Sequence, residues 1–280
     1  MKEFKLYNNT ETIYFDDSPG KNGKPKHAYW RLDPDDLKKD GTPKKKRIVG
    51  VTTVLNVINK PALIPWAVGV TVDYLKNNLD RIQDDPRKLL EDAKQESEKQ
   101  KREAGDLGNL IHDWIEQHIK GEKPEMPDEE NVKRGVISFL DWERENKVEY
   151  LESEKLVYSK KYNYVGRLDI IAKVNGKLYL VDLKTGNAIW QEHHAQVAAY
   201  LKADTEERGT KYDGRIVLRV AKETEVEFQE RMKDKTYYIN NPEKYPYLPF
   251  EAIYLDEEEQ KIHQDFKAFE SALNIYRWKK

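Results

Sequence analysis

The sequence predicts an α/β protein in which a β-sheet is flanked by helices. Short alternating apolar runs in residues 3–48, separated by turn-forming residues, are typical of small β-hairpins. Residues 150–184 contain three further runs with strand-like alternation, and apolar side chains at helical spacing precede and follow them. Strands and helices that alternate in this way indicate helices packed against a sheet.

The helical spacing predicts helices over 52–58, 62–79, 86–120 and 129–146. The third is expected to break near Gly105 and Gly108, because glycine destabilises a helix interior. The following elements are predicted as strands over 150–159, 162–174 and 177–184, a helix over 191–204, a strand over 213–221 and a helix over 256–278. Residues 226–255 are rich in Tyr and Pro, and their pattern predicts no element.

The change of pattern near residue 150 divides the chain into two parts. Residues 1–148 are predicted to form N-terminal β-hairpins and a helical lobe, and residues 149–280 a core that carries the chemistry. The lobe is expected to contribute His112 to the site.

The composition bounds the class of protein. The chain has 280 residues, of which 38% are hydrophobic, enough for a sizeable core. Charged residues reach 36%, but the net charge of −2 excludes a uniformly basic nucleic-acid binder and leaves room for a local basic groove. The absence of Cys excludes disulfides, Cys-ligated zinc, iron–sulfur clusters and a thiol nucleophile. We find no apolar run of signal-peptide or membrane-spanning length, so we expect a cytoplasmic protein without a membrane partner.

The most informative segment is a predicted hairpin turned by Asn175-Gly176. This dipeptide between two apolar runs is the strongest short signal for a two-residue type I′ turn. The turn sets the register of the two strands and places Asp169 opposite Asp182. Two carboxylates that face each other in a buried sheet repel, so we expect a cation between them or a shared proton. Mg²⁺ and Mn²⁺ prefer such oxygen ligands.

Lys184 lies two residues beyond Asp182 and therefore points to the same face of the strand. Its ammonium group could orient an attacking water and stabilise negative charge on a phosphate. The spacing equally allows Lys184 to be a salt-bridge partner of the two aspartates, and that alternative stays open.

Two helical segments offer further polar side chains. Gln196 and Tyr200 lie four residues apart, on one face of the helix that follows the hairpin. His112 lies four residues after Gly108 and four before Glu116. An imidazole beside a carboxylate pair is a natural third metal ligand, although most single helical histidines are core or surface residues.

These residues form four blocks in a fixed order: Gly108-x-x-x-His112, Gly166-x-x-Asp169, Asp182-x-Lys184-Thr185 and Gln196-x-x-x-Tyr200. The blocks resemble the RecB-like branch of the PD-(D/E)xK nuclease superfamily, which includes mitochondrial genome maintenance, Cas4-like and phage exonucleases. The resemblance covers roughly residues 48–202, and the segment RIVGVTTVL at 47–55 is part of it.

The resemblance implies a mixed central sheet in a restriction-endonuclease-like core, and phosphodiester hydrolysis with Mg²⁺ or Mn²⁺ through a metal-activated water. It implies that Asp169, Asp182 and Lys184 are catalytic, and that the metal ligands are His112, Asp169, Asp182 and the carbonyl group of Leu183. The candidates for supporting or DNA-binding roles are Glu116, Glu154, Thr185, Gln196 and Tyr200.

Cofactors and partners follow from the same comparison. Without Cys the chain cannot hold the iron–sulfur cluster of Cas4-like relatives. It also lacks a G-x-x-x-x-G-K-[ST] phosphate loop, so we expect no nucleotide cofactor, and any helicase motor would be another chain. A helicase or a recombination protein is therefore a candidate partner.

We expect an exonuclease that acts on DNA ends or single-stranded DNA, in recombination, repair or phage DNA processing. Three alternatives stay open. They are a structure-specific endonuclease, a catalytically silent module that binds DNA or a partner, and a structural α+β protein whose charges are satisfied internally.

Overall fold

The computed structural model of the chain describes residues 1–19, 26–256 and 259–280. Within these ranges nine strands form one mixed sheet, which confirms the predicted α/β class. The strands are β1 Lys2–Leu6, β2 Glu11–Asp16, β3 Ala28–Leu37, β4 Pro43–Gly50, β5 Val148–Ser159, β6 Tyr164–Val174, β7 Lys177–Lys184, β8 Gly214–Val220 and β9 Phe250–Asp256. The predicted N-terminal hairpins are confirmed as an antiparallel β1–β4 meander.

The helices are α1 Val51–Leu55, α2 Leu63–Asn77, α3 Pro86–Ile119, α4 Glu130–Asn146, α5 Gln191–Arg208, α6 Glu225–Met232, α7 Thr236–Asn240 and α8 Glu259–Trp278. Short 3₁₀ turns lie at Leu79–Ile82 and Pro242–Lys244. The segment that the sequence left without an element therefore holds α6, α7 and β9. The start of the predicted last helix falls partly on residues 257–258, outside the described residues.

The predicted break in the third helix is wrong, because α3 runs without interruption through Gly105 and Gly108. Packing outweighs the low helix propensity of glycine here. The C-terminal half of α3 buries Ile111, Trp114 and Ile115 against α4 and the sheet. The helix begins at Pro86, and the Asp85 side chain accepts a hydrogen bond from the backbone of its first turn.

Helices cover both faces of the central strands. On one face α1, α5 and α8 pack on β6–β8 through Val54, Val197 and Phe269. On the other face α3 and α4 pack on the same strands through residues that include Phe139 and Trp142. A sheet covered on both faces has an apolar interior, in which any buried carboxylate needs a specific partner. Among the described residues, no helix has the length and apolar character needed to cross a membrane.

One edge of β6 is shared between two strands. β5 pairs with β6 along its other edge, β4 pairs in parallel with residues 164–165, and β7 pairs antiparallel with residues 170–174. Residues 166–169 therefore have no strand partner on that edge among the described residues. This four-residue interval, which we call the fork, opens the sheet where the predicted acidic residues begin.

Candidate metal and catalytic site

The hairpin that carries the two aspartates forms as predicted. Asn175 has φ 52° and Gly176 has φ 82°, the left-handed conformation that a type I′ turn requires at both positions. The ladder then runs from the turn to the Ile170–Val181 pair, so the predicted register is confirmed. Asp169 and Asp182 come next, where the ladder ends at the fork.

Beyond the last backbone pair of β6 and β7, the Asp169 side chain takes the place of a backbone hydrogen-bond acceptor. Its Oδ2 accepts a hydrogen bond of 2.7 Å from the backbone N–H of Leu183 on β7. A buried N–H at the end of a ladder needs an acceptor, and this carboxylate supplies it. The N–H of Leu183 thus contributes to the site, and the metal-binding role of its carbonyl group stays a prediction.

Three side chains from three elements meet at the fork. His112 of α3, Glu154 of β5 and Asp169 of β6 each offer one ligand atom, and these atoms lie within 4.8 Å of one another. One nitrogen and two carboxylate oxygens at this spacing suit a small divalent cation such as Mn²⁺ or Mg²⁺. We call these three residues the metal-ligand group.

The electrostatics of the metal-ligand group favour a cation. Burial, followed by the charge of Asp169, raises the pKa of Glu154 to about 7. Burial likewise raises the pKa of Asp169. Burial, followed by the charge of Lys184, lowers the pKa of His112 to about 4, so its imidazole is neutral and able to bind a metal at pH 7. The residues present therefore fit a divalent metal ion.

Asp182 and Lys184 form an ion pair beside this group. Lys184 Nζ lies 2.5 Å from Oδ2 of Asp182, whose side chain is 1% exposed. Within the described residues Oδ1 of Asp182 has no hydrogen-bond partner. Burial raises the pKa of Asp182 to about 6 in spite of Lys184. The salt bridge that the spacing allowed is thus present, and Asp182 is not part of the three-residue group, although its charge acts on His112.

Two glycines of the motif blocks make room for their neighbours. A Cβ atom at Gly166 would lie 2.4 Å from the ring of Tyr200, and one at Gly108 would lie 2.6 Å from Thr185 Oγ1. Tyr200 is buried, and its hydroxyl accepts a hydrogen bond of 2.8 Å from Gln196 Nε2. The four blocks therefore contact one another in space.

The site lies in a cleft of about 870 Å³. The predicted site residues that line it are His112, Glu116, Glu154, Asp169, Asp182, Leu183, Lys184, Thr185, Gln196 and Tyr200. Glu116 also forms an ion pair with Lys120. The structure thus brings all the predicted residues together, and their individual roles remain proposals.

Sequence reasoning missed two cleft residues, Arg167 and His193. Arg167 Nε lies 2.9 Å from Oε2 of Glu154. Burial, followed by the charge of Lys184, lowers the pKa of His193 to about 4, and its Nδ1 accepts a hydrogen bond of 3.1 Å from the backbone N–H of Trp190. Both lie inside or beside the quoted blocks, but no spacing rule singled them out.

A family model described as the PD-(D/E)XK nuclease superfamily matches residues 131–275, just over half of the chain. The chain belongs to the PD-(D/E)XK nuclease superfamily. The matched range includes Asp169, Asp182 and Lys184, whereas His112 lies before it. Membership in this nuclease superfamily implies DNA as the substrate class and suggests a metal-dependent hydrolase.

Two further comparisons add less to the superfamily assignment. The solved crystal structure of SSO0001 is similar to this chain at 14% sequence identity and a TM-score of 0.25, covering 58% of this chain and 73% of that one. At so low a TM-score the likeness carries no argument. The curated proteins include no match to the chain. The RecB-like branch within the PD-(D/E)XK nuclease superfamily therefore stays a prediction.

Proposed function

We propose that the protein is a Mg²⁺- or Mn²⁺-dependent deoxyribonuclease that hydrolyses phosphodiester bonds. The observation that carries this proposal is the metal-ligand group of His112, Glu154 and Asp169 beside the Asp182–Lys184 pair. A purely structural fold gains nothing from three carboxylates with raised pKa values in one buried cleft.

The proposal assigns tasks to the principal residues of the site. His112, Glu154 and Asp169 would hold the ion, with Asp182 as a further ligand once its carboxylate turns from Lys184. The ion would activate a water and offset charge that develops on the phosphate. Lys184 then donates to a phosphate oxygen or orients the attacking water. Gln196 and Tyr200 hold α5 against β6, and Thr185 holds the end of β7 against α3.

We propose an exonuclease that takes DNA ends or single strands. A second cleft of about 920 Å³ runs beside α3, and it shares His27 and Asn109 with the first. A DNA strand guided along α3 would enter the site from one side. Tyr74 lines this second cleft and offers a ring on which a base can stack. Trp114 of α3 offers no such ring, because it is buried and its indole N–H donates to the Glu125 carbonyl oxygen. A cytoplasmic role in recombination, repair or phage DNA processing is part of this proposal.

Incubation of the protein with end-labelled single- and double-stranded DNA, with and without Mg²⁺ or Mn²⁺, tests the activity. We expect cleavage that needs the ion and is absent in Asp169→Asn. Calorimetry with Mn²⁺ should show weaker binding by Asp169→Asn than by the wild type. Absence of metal-dependent cleavage on every DNA form would leave the silent DNA-binding module as the better description.

A covalently closed single-stranded circle separates the two cutting modes. An exonuclease needs an end and leaves the circle intact, whereas a structure-specific endonuclease opens it. If the circle is cleaved at the rate of the matching linear strand, the exonuclease mode is rejected and the more general nuclease function is kept.

A further inference from the structure

Arg167 is a cation of the cleft that has no task in the proposed chemistry. It lies on β6 within the fork, and its side chain is 37% exposed. Nε lies 2.9 Å from Oε2 of Glu154 and donates a hydrogen bond of 3.1 Å to the Glu154 carbonyl oxygen. Both contacts use the single N–H of Nε, so the guanidinium group is held along one edge only.

The opposite edge of the guanidinium is available. Across the described part of the chain, Nη1 and Nη2 of Arg167 make no hydrogen bond to a protein group. These two nitrogens carry four of the five donors of an arginine. Their parallel N–H groups match the non-bridging oxygens of a phosphate.

The other Lys and Arg side chains that line this cleft within the described residues are engaged. Lys60 Nζ lies 3.1 Å from Glu192 Oε1, and Lys184 Nζ lies 2.5 Å from Asp182 Oδ2. Among the described Lys and Arg residues of the cleft, Arg167 is therefore the one whose Nη1 and Nη2 groups remain unused.

The backbone at Glu154 fixes Arg167 at the border of the metal-ligand group. Glu154 has φ 50°, a left-handed conformation that is uncommon for a side-chain-bearing residue within a strand. In this conformation both its carbonyl oxygen and its carboxylate reach Nε of Arg167. The same carboxylate belongs to the metal-ligand group, so Arg167 directly contacts a residue that would hold the ion.

We propose that Arg167 binds a backbone phosphate of the nucleic acid next to the bond that is cut. This inference rests on the proposed function, and it assigns a substrate contact to a position that the four motif blocks leave unspecified. The contact is to the sugar–phosphate backbone, so it is independent of base sequence.

Fluorescence anisotropy with a short labelled single strand tests the proposal, with Ca²⁺ replacing Mg²⁺ and KCl varied. Arg167→Gln should weaken binding about tenfold and lower the slope of log affinity against log salt by about one. Arg167→Lys should keep the slope and lose part of the affinity, because an ammonium keeps the charge without the fork of donors. Mn²⁺ affinity should stay at the wild-type value in Arg167→Lys.

Arg134→Gln is the matched control. Arg134 has a side chain 35% exposed and pairs with Glu130 at 2.7 Å, but it lies on α4 and does not line the cleft. The proposal is overturned if Arg167→Gln binds DNA as the wild type does, or if Arg134→Gln loses as much DNA affinity as Arg167→Gln. It is also overturned if the Arg167 variants lose Mn²⁺ affinity while the salt slope is unchanged, because Arg167 would then only position Glu154.

The same experiment separates this inference from the proposed function. If the wild type cleaves DNA and Arg167→Gln binds DNA as the wild type does, the phosphate contact of Arg167 is rejected and the nuclease function is kept. If the wild type does not cleave DNA but Arg167→Gln shows the expected loss of DNA affinity, the hydrolysis is rejected and the phosphate contact is kept. If Arg167→Gln does not fold, the salt slope and affinity of Arg167→Lys decide.

Discussion

The ion pair between Lys184 and Asp182 has two interpretations at the scale of single residues. As a structural pair it neutralises a buried carboxylate, and as part of a catalytic site it keeps an ammonium group beside the proposed metal. The open position of Oδ1 of Asp182 and the proximity of the metal-ligand group favour the second interpretation. The two interpretations predict different results for the same variant.

Lys184→Ala is expected to lower the cleavage rate by a factor of about 10² to 10³, because a donor to the developing charge is lost. The rate is measured under saturating Mg²⁺ on end-labelled DNA. Lys173→Ala serves as control, since Lys173 pairs with Glu149 on the solvent side of the same hairpin. A wild-type rate in Lys184→Ala would leave only the structural interpretation.

The raised pKa of Glu154 predicts how stability depends on pH in the absence of metal. Folded Glu154 keeps its proton up to about pH 7, whereas the unfolded chain releases it near 4.5. Folding therefore takes up a proton in this window, and this group's stabilisation is lost as pH rises through 7. Between pH 6 and 8 we expect a loss of about 1 kcal/mol from this group. His112 contributes with the opposite sign, mainly below pH 6.5.

Thermal melts in EDTA at pH 6 and pH 8 check this prediction. The drop in Tm should be clear in the wild type and smaller in Glu154→Gln, and excess Mn²⁺ should remove it because the ion competes with the proton. Glu149→Gln, an exposed position on the same strand, should behave like the wild type. Equal drops in Glu154→Gln and the wild type would contradict the raised pKa.

Secondary-structure elements meet at the fork through two glycines. Gly108 brings α3 against Thr185 at the end of β7, and Gly166 lets Tyr200 of α5 lie on β6. Both contacts set the position of neighbouring site residues, Lys184 in the first case and Asp169 in the second. The glycines therefore serve close packing between elements rather than chain flexibility.

Gly108→Ala and Gly105→Ala form a matched pair on α3. A Cβ at Gly105 meets no atom of the described residues within 4 Å, so that variant should gain about 0.5 to 1 kcal/mol from better helix propensity. A Cβ at Gly108 must displace Thr185, so that variant should show no such gain and a lower cleavage rate. Urea unfolding and the cleavage assay measure the two effects. Equal stability and equal activity in the pair would remove the packing argument.

The elements that could be predicted well from the sequence are those specified by short local patterns. The Asn175-Gly176 turn determines a register over the whole hairpin, so the neighbouring positions of Asp169 and Asp182 could be predicted. The continuity of α3 could not, because it depends on Ile111 and Trp114 packing on distant segments. The site role of Glu154 could be expected only from the family resemblance, because no local sequence pattern predicts a left-handed residue within a strand.

The whole sheet depends on contacts between distant parts of the chain. β4 joins β6 in parallel at Val49–Tyr164 and Gly50–Val165, a pairing across more than one hundred residues that leaves no local trace in the sequence. α3 and α4 cover one face of β6, β7 and β8. The division into 1–148 and 149–280 is thus a proposal about roles, because the two parts share one sheet and the apolar clusters on both of its faces.

A fragment of residues 149–280 should therefore not fold alone, because it exposes the apolar sheet face that α3 and α4 cover. Circular dichroism and urea unfolding would show no cooperative transition for the fragment. Co-expression with residues 1–148 should restore a folded complex, in which His112 can reach the site. Cooperative unfolding of the fragment by itself would show that the core is independent.

The left-handed backbone of Glu154 has a practical consequence. Asparagine tolerates φ near +50° better than glutamate or glutamine, so Glu154→Asn should be more stable than Glu154→Gln by up to roughly 1 kcal/mol. It also shortens the side chain and removes a carboxylate from the metal-ligand group. Glu154→Asn would then be an inactive protein that is more stable than Glu154→Gln, suited to crystallisation with an uncut DNA strand bound.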